Sequence, residues 1–161
     1  MPAEMFSPLS DRDLGMILAY LHSVPPHPGP APRVRLGPLA RLGLVLGKYH
    51  TAAALVRGAD SLAGSYPGPG EPTGAGAYLA RTLCTECHGI DLRGGQTAPD
   101  LRIAQAYSAD QFTLLLRTGQ ALGGRELSLM SQVARLRFSH LSDGEIHALR
   151  SYLLARAAQS R

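Results

Sequence analysis

The run Cys84-Thr85-Glu86-Cys87-His88 constrains the structure of this chain more than any other feature of the sequence. Two thiols three positions apart can each add to one vinyl group of a porphyrin, and the histidine that follows can bind the iron through Nε2. Cys84 and Cys87 are also the only cysteines among the 161 residues. The pattern therefore predicts one covalent haem c, with His88 as an axial ligand of its iron.

Other uses of a C-x-x-C pair fit this sequence less well. A zinc site needs four ligands, and two cysteines with one adjacent histidine form an incomplete set. A thioredoxin-like dithiol belongs to a βαβ unit, and no segment of any length alternates apolar and polar residues as a strand does. A chance occurrence of the short motif remains the alternative to haem attachment.

The residues around the motif predict a small all-α module. Thr73 is a candidate N-cap for a helix that ends near Arg81 or Leu83, and its small residues followed by Tyr78 suit a close crossing with another helix. A loop from His88 to Leu101 follows the motif.

Two capping boxes predict the later helices, one formed by Ser108 with Gln111 and one by Ser142 with Glu145. Gly119 is expected to end the first of these helices. The apolar residues at helical spacing, which we expect to be buried, are Phe112, Leu115, Leu116, Ile146, Leu149, Tyr152 and Leu153.

Residues 73–157 resemble a class I cytochrome c in the order of their motifs. The helix with Gly76, Tyr78 and Leu79 is followed by the haem motif, a Gly-Ile-Asp-Leu-Arg-Gly-Gly run, an Ala-Pro-Asp-Leu run and a closing segment from Phe138 to Ile146. More narrowly, this region is similar to the repeated domains of multihaem cytochrome c subunits that accept electrons from membrane-bound bacterial dehydrogenases. The resemblance implies a class I cytochrome c fold and an electron carrier rather than an enzyme.

The resemblance also implies a second axial ligand. Met130 is the only methionine after the motif, and the resemblance places it on the loop between the last two helices, where its thioether would bind the iron. A soft thioether raises the reduction potential relative to two histidines. The alternative role for Met130 is that of a flexible core residue. His140 is a rival ligand, but its position matches a family residue that does not bind iron.

Residues beyond the ligands follow by the same resemblance. The Pro99 carbonyl would accept a hydrogen bond from Nδ1 of His88 and make the imidazole a better donor. Arg125, with Arg93, would pair with the haem propionates, although a solvated surface charge is the simpler interpretation of each arginine alone. Core positions are expected for Tyr78 and Tyr107, and surface or structural positions for His22, His27, His50 and His147.

The first 24 residues repeat the last helix of the predicted domain. Phe6 and Tyr20 stand 132 positions before Phe138 and Tyr152. The apolar face of the helix repeats as well, except that Arg150 stands where the first segment has Leu18. No haem motif precedes this segment, and Met1-Pro2 resembles the axial-methionine segment of another repeat. We therefore expect residues 1–24 to be the end of a preceding repeat in a gene that starts further upstream. Such a helix needs a packing partner or stays partly disordered.

Residues 25–72 read as a Pro/Gly-rich connector. It starts with a polyproline-like stretch and ends with the linker 65–70, with an apolar patch between Leu36 and Leu46. Basic residues and short length exclude a membrane span for this patch. It is expected to pack in a core, although an interfacial or partner-packing helix is also compatible with the pattern.

The predicted function is electron transfer from a dehydrogenase subunit to a quinone or an oxidase. A formal charge of +4 permits docking to an acidic redox partner but does not indicate nucleic acid. The family implies a periplasmic location, with peripheral association to a membrane or subunit, yet the chain opens without a signal peptide. The alternatives are a five-coordinate haem sensor or peroxidase-like domain, and a non-functional truncated remnant.

Overall fold

The structure, a computed structural model, describes residues 6, 9–26, 29, 35–54, 56–57, 74–95 and 98–159. The described residues are mostly helical and contain no strand, only an isolated bridge between Gln120 and Glu126. The predicted all-α class is therefore confirmed. The chain divides into two compact units, Met1–Ser61 and Leu62–Arg161, so that the boundary falls inside the predicted connector.

Helices form nearly all of the regular structure in both units. In the first unit lie α1 (Asp11–Ser23) and α2 (Pro38–Val45). In the second lie α3 (Gly74–Leu83), α4 (Thr85–His88), α5 (Ala109–Thr118), α6 (Ser128–Leu136) and α7 (Asp143–Gln159). Short 3-10 helices in the second unit span Leu101–Ala106, Leu122–Gly124 and Phe138–His140.

Both predicted capping boxes are present in the second unit. Ser108 Oγ accepts a hydrogen bond from the Gln111 amide at 3.2 Å, and the Gln111 side chain accepts one from the Ser108 amide at 2.9 Å. Ser142 and Glu145 make the equivalent pair at the start of α7. Gly119 ends α5 in the left-handed conformation, with φ of 78°. The predicted cap Thr73 lies outside the described residues.

The crossing of α3 and α7 builds the centre of the second unit. Gly76 lies against the backbone carbonyl of Ala148, and a Cβ added to it would stand 2.7 Å from Cβ of Tyr152. The predicted close crossing is therefore confirmed. All the apolar residues predicted to be buried on α5 and α7 are buried: Phe112, Leu115, Leu116, Ile146, Leu149, Tyr152 and Leu153.

The prediction of a loop between the last two helices is wrong, because α6 occupies residues 128–136. No side chain caps this helix at Leu127. Instead, Ser131 Oγ accepts a hydrogen bond from the Leu127 amide at 2.8 Å and donates one to the Gly119 carbonyl at the end of α5. A tertiary contact thus holds the start of this helix, and the sequence has no local capping pattern that would predict it.

The first unit confirms the predicted helix at α1 and contradicts the expected burial at α2. Ser10 caps α1 by accepting a hydrogen bond from the Asp13 amide at 3.1 Å, yet no residue of α1 is buried. On α2, Leu39 is 81% exposed and Val45 is 83% exposed. The expectation that the patch packs in a core is wrong, because this eight-residue helix buries only Gly43, under the ring of Tyr49.

Several predictions for the amino-terminal half fall on residues that the structure does not describe. These are the segment Met1-Pro2, most of the polyproline stretch (Pro28, Pro30 and Pro32), His27 and the linker 65–70. No helix among the described residues is both long and apolar enough to cross a membrane.

The α3–α7 crossing predicts that Gly76 tolerates no side chain. A Gly76→Ala variant should unfold at lower urea concentration, at a cost of about 1–3 kcal/mol, because its Cβ would stand 2.7 Å from the carbonyl carbon of Ala148 on α7. Urea unfolding followed by circular dichroism measures this cost. Gly144→Ala is the matched control, since nothing lies within 4 Å of a Cβ at Gly144. Equal stability of the two variants would contradict the crossing.

Candidate haem-binding site

One helical turn brings the three side chains of the motif to the end of α3. The Cys84 carbonyl accepts hydrogen bonds from the amides of Cys87, at 3.3 Å, and His88, at 3.0 Å. Residues three and four positions apart in a helix are neighbours on its surface. Thr85, which is buried, fastens the turn to α3 by donating its hydroxyl proton to the Arg81 carbonyl at 2.7 Å. Cys87 and His88 are therefore each neighbours of Cys84 on this turn.

The two thiols are free and differ in their surroundings. Cys84 is half-buried and packs against the apolar core, whereas Cys87 is exposed. Burial raises the pKa of the Cys84 thiol to about 12, and the neighbouring Cys87 adds to this effect. The Cys84 thiol is therefore expected to be a weaker nucleophile than an exposed cysteine, because the thiolate is the reactive form.

His88 is buried and makes the hydrogen bond that the family resemblance implies. Its Nδ1 lies 2.8 Å from the carbonyl oxygen of Pro99. Because a carbonyl can only accept, Nδ1 carries the proton, and in the neutral form of such a ring Nε2 has the lone pair that can bind a metal. This tautomer is the one that binds iron through Nε2.

A tight loop after His88 places the Pro99 carbonyl. The Gly94 amide donates to the His88 carbonyl at 2.8 Å, and the Leu101 amide donates to the Leu92 carbonyl at 3.0 Å. Gly94 has φ of 79°, and a Cβ there would stand 2.5 Å from the carbonyl carbon of Pro99. Leu92 anchors the loop, since its side chain is completely buried. Only glycine fits position 94. Its lack of a side chain lets the two sides of the loop approach each other next to Pro99, the hydrogen-bond partner of His88.

The structure places Met130 in the first turn of α6, not on a loop. Its side chain is half-buried and packs against the same apolar core that Cys84 borders. The rival ligand His140 is exposed, in the 3-10 helix before α7. Met130 thus lies on the border of the core, as an iron ligand and a core residue both would.

The two arginines predicted at the propionates have local contacts. Arg125 Nε donates to the Leu122 carbonyl at 3.1 Å, and Arg93 Nε lies 3.9 Å from a carboxylate oxygen of Asp91. Both arginines are exposed, as solvated surface charges are. A propionate contact stays a prediction for each of them.

The remaining side chains singled out in the sequence lie where core and surface residues lie. Tyr107 is buried and Tyr78 is half-buried, in agreement with the predicted core positions. Histidines 22, 50 and 147 are exposed. Within the described ranges, no group of three or more His, Cys, Asp or Glu side chains could hold a metal ion.

Sequence reasoning missed two residues that hold the loop, Asp100 and Arg156. Asp100 accepts hydrogen bonds from the backbone and the side chain of Arg102, both at 2.8 Å. Burial alone would raise the pKa of Asp100, but the hydrogen bonds from Arg102 and the charges of Arg102 and Arg156 lower it below its ordinary value of 3.8. An Asp before a helical segment is a capping signal that the sequence offered. Nothing in the sequence linked Arg156 to this loop.

Three comparisons with known proteins found no match. No family model, no curated protein and no solved structure matches this chain.

The burial of Cys84 predicts slow alkylation of its thiol. In a Cys87→Ser variant without haem, iodoacetamide should modify Cys84 at least about tenfold more slowly in the folded chain than in urea, because little thiolate forms. Mass spectrometry over time gives both rates. In the reciprocal Cys84→Ser variant the exposed Cys87 should be modified readily in both states. Equal rates for Cys84 in the folded and unfolded chains would contradict the structure at the motif.

The lowered pKa of Asp100 predicts a loss of stability in acid. The carboxylate stabilises the folded chain fully above pH 3.8, and this contribution disappears as the pH falls through the lower folded-state pKa. The difference in unfolding free energy between the wild type and Asp100→Asn should therefore shrink over that interval. Urea unfolding at a series of pH values measures it. A difference that is constant, or that grows in acid, would contradict the assignment.

Proposed function

We propose that residues 73–157 form a class I cytochrome c domain that carries one haem c and serves as an electron carrier. The hydrogen bond from His88 Nδ1 to Pro99 is the observation that carries this proposal. It leaves Nε2 available on a buried imidazole, one residue after two reduced thiols on the same turn. A histidine that binds a metal almost always donates its other ring N–H in this way, which fixes the tautomer and the orientation of the ring.

The donor set fits this group. Cys84 and Cys87 supply two thiols for thioether bonds, His88 supplies an imidazole nitrogen, and Met130 supplies a soft thioether from α6. Haem c, when bound, supplies a one-electron couple between ferric and ferrous iron. The chain's own residues set that couple: Pro99 makes His88 more electron-rich, while Met130 and the apolar core favour the ferrous state.

The helical frame gives further support to the proposal. α3 carries the motif at its carboxyl end and crosses α7 so closely that only Gly76 fits. α5 and α6 are joined through Ser131, which holds the turn on which Met130 lies. The candidate ligands therefore stand on helices that are fastened to one core, which limits the reorganisation that accompanies electron transfer.

The proposed partners are redox proteins at the periplasmic side of a membrane. A dehydrogenase subunit is the proposed donor, and a quinone or an oxidase is the proposed acceptor. Exposed apolar residues on α1 and α2, such as Leu21 and Leu39, favour association with a subunit or with a membrane surface. The charge of +4 favours an acidic docking face on the partner.

Expression with an added export signal and the haem-maturation machinery tests this proposal. A covalent haem that survives denaturing electrophoresis, with a sharp low-spin c-type spectrum when reduced, is the expected result. A high-spin spectrum that shifts with carbon monoxide would contradict the role of electron carrier and would indicate a five-coordinate haem sensor or peroxidase-like domain. Absence of covalent haem in the wild type, when a known cytochrome c matures in the same cells, would refute both.

Substitution of Met130 and of His140 tests which of the two residues is the sixth ligand of the iron. Met130→Ala should convert the low-spin ferric spectrum to a high-spin one and remove the weak methionine charge-transfer band in the red, because the thioether is lost. His140→Ala, the matched control at an exposed position, should leave both features unchanged. Optical spectra of the two purified variants decide between them. The reverse pattern would make His140 the ligand.

A further inference from the structure

Arg156, near the end of α7, holds the loop that carries the histidine partner. Its side chain is only 17% exposed. One guanidinium nitrogen, Nη2, donates a hydrogen bond to the Asp91 carbonyl, and Nη1 lies 3.9 Å from Oδ1 of Asp100. A single guanidinium therefore binds the loop at two points, and a planar fork of donors suits this geometry.

The two points stand on opposite sides of the loop. Asp91 lies in the first half of the loop, just after α4, and Asp100 lies near its end, just before the 3-10 helix Leu101–Ala106. The sides are joined by the hydrogen bonds from Gly95 to Ala98, at 2.9 Å, and from Leu101 to Leu92, at 3.0 Å. Arg156 therefore connects both sides of the loop to α7 through side-chain contacts, in addition to these backbone hydrogen bonds.

Asp100 is coupled directly to the hydrogen bond of the histidine. The carbonyl that His88 uses belongs to the peptide unit between Pro99 and Asp100, and this unit is planar. A shift of Asp100 therefore turns or displaces the Pro99 oxygen, which stands 2.8 Å from Nδ1. A hydrogen bond at this distance weakens with small changes of angle or length.

We propose that Arg156 is a positioning residue for the axial histidine: by holding Asp91 and Asp100 to α7, it keeps the Pro99 carbonyl on His88 Nδ1 and so tunes the haem iron. The inference rests on the proposed function, because it needs His88 to be the iron ligand. It assigns to α7 a role in the electronic properties of the site, in addition to its role in packing.

The expected effects of Arg156→Met have a definite sign. A weaker hydrogen bond from Nδ1 makes the imidazole a poorer donor, which destabilises ferric iron, so the reduction potential rises. The Nδ1 proton should also exchange with solvent about tenfold faster, which corresponds to the loss of roughly one net hydrogen bond. Arg156→Lys, which keeps the charge but cannot contact both points, should fall between the wild type and Arg156→Met.

Arg117→Met is the matched control. Arg117 likewise joins two elements by donating to a backbone carbonyl, that of Ser139 at 2.6 Å, and to a carboxylate, that of Asp143 at 2.8 Å. Neither of these partners belongs to the loop after His88. The control should therefore lose stability as Arg156→Met does, without a change of potential or of Nδ1 proton exchange.

The experiment uses the full chain with haem attached, with redox titration for the potential and NMR of the His88 ring for the exchange. Both readouts changed in Arg156→Met and unchanged in Arg117→Met would support the inference. Unchanged readouts in both Arg156 variants, or equal changes in Arg117→Met, would overturn it and leave the electron carrier standing. Should Arg156→Met fail to fold, Arg156→Lys alone decides by the same criteria. A wild type that takes up no haem would overturn the proposed function and the inference together.

Discussion

The close crossing of α3 and α7 is the contact on which the rest of the second unit depends. Helices approach this closely only where one of them lacks a side chain, and Gly76 provides that place against Ala148 and Tyr152. α3 ends in the cysteine motif, and α7 carries the arginine that holds the loop after it. One packing contact therefore fixes the relation between the candidate haem attachment turn and the residue that steadies the partner of His88.

The loop after His88 carries the Pro99 carbonyl that accepts the hydrogen bond from the imidazole. A loop of this length has many conformations in the unfolded chain, and ordering it costs free energy that its few hydrogen bonds must offset. Gly94 permits the close approach of the two sides, and Leu92 buries its side chain completely even though its φ of 58° is unfavourable for leucine. Strain of this kind persists where the surroundings hold a backbone in place for a function. In this loop the strained residue lies between His88 and the Pro99 carbonyl that accepts its hydrogen bond.

The parts of the fold that the sequence predicted are those with local signals. The capping boxes at Ser108 and Ser142 and the left-handed glycine at position 119 are read from a few neighbouring residues, and the structure has all three. α6 was missed because its first turn is held by Ser131 against Gly119, twelve residues away in the chain. Arg156 was missed for the same reason, because its partners precede it by more than fifty residues. Pairings of this range leave no pattern in a single sequence. The hydrogen bond between His88 and Pro99 was predicted only through the family resemblance, which supplied a long-range contact that spacing alone does not give.

The comparison of α1 with α7 shows which properties of a helix depend on its own residues and which depend on the helices packed against it. Both helices start on a serine that accepts a hydrogen bond from the amide three residues later, and both carry apolar residues at matching positions. Ile146 on α7 is 2% exposed, whereas its counterpart Leu14 on α1 is 40% exposed. Local capping and periodicity therefore indicate where a helix lies, but they do not bury its apolar face. Most of the stability of a helix this short comes from packing against a partner, as α7 packs against α3 at Gly76.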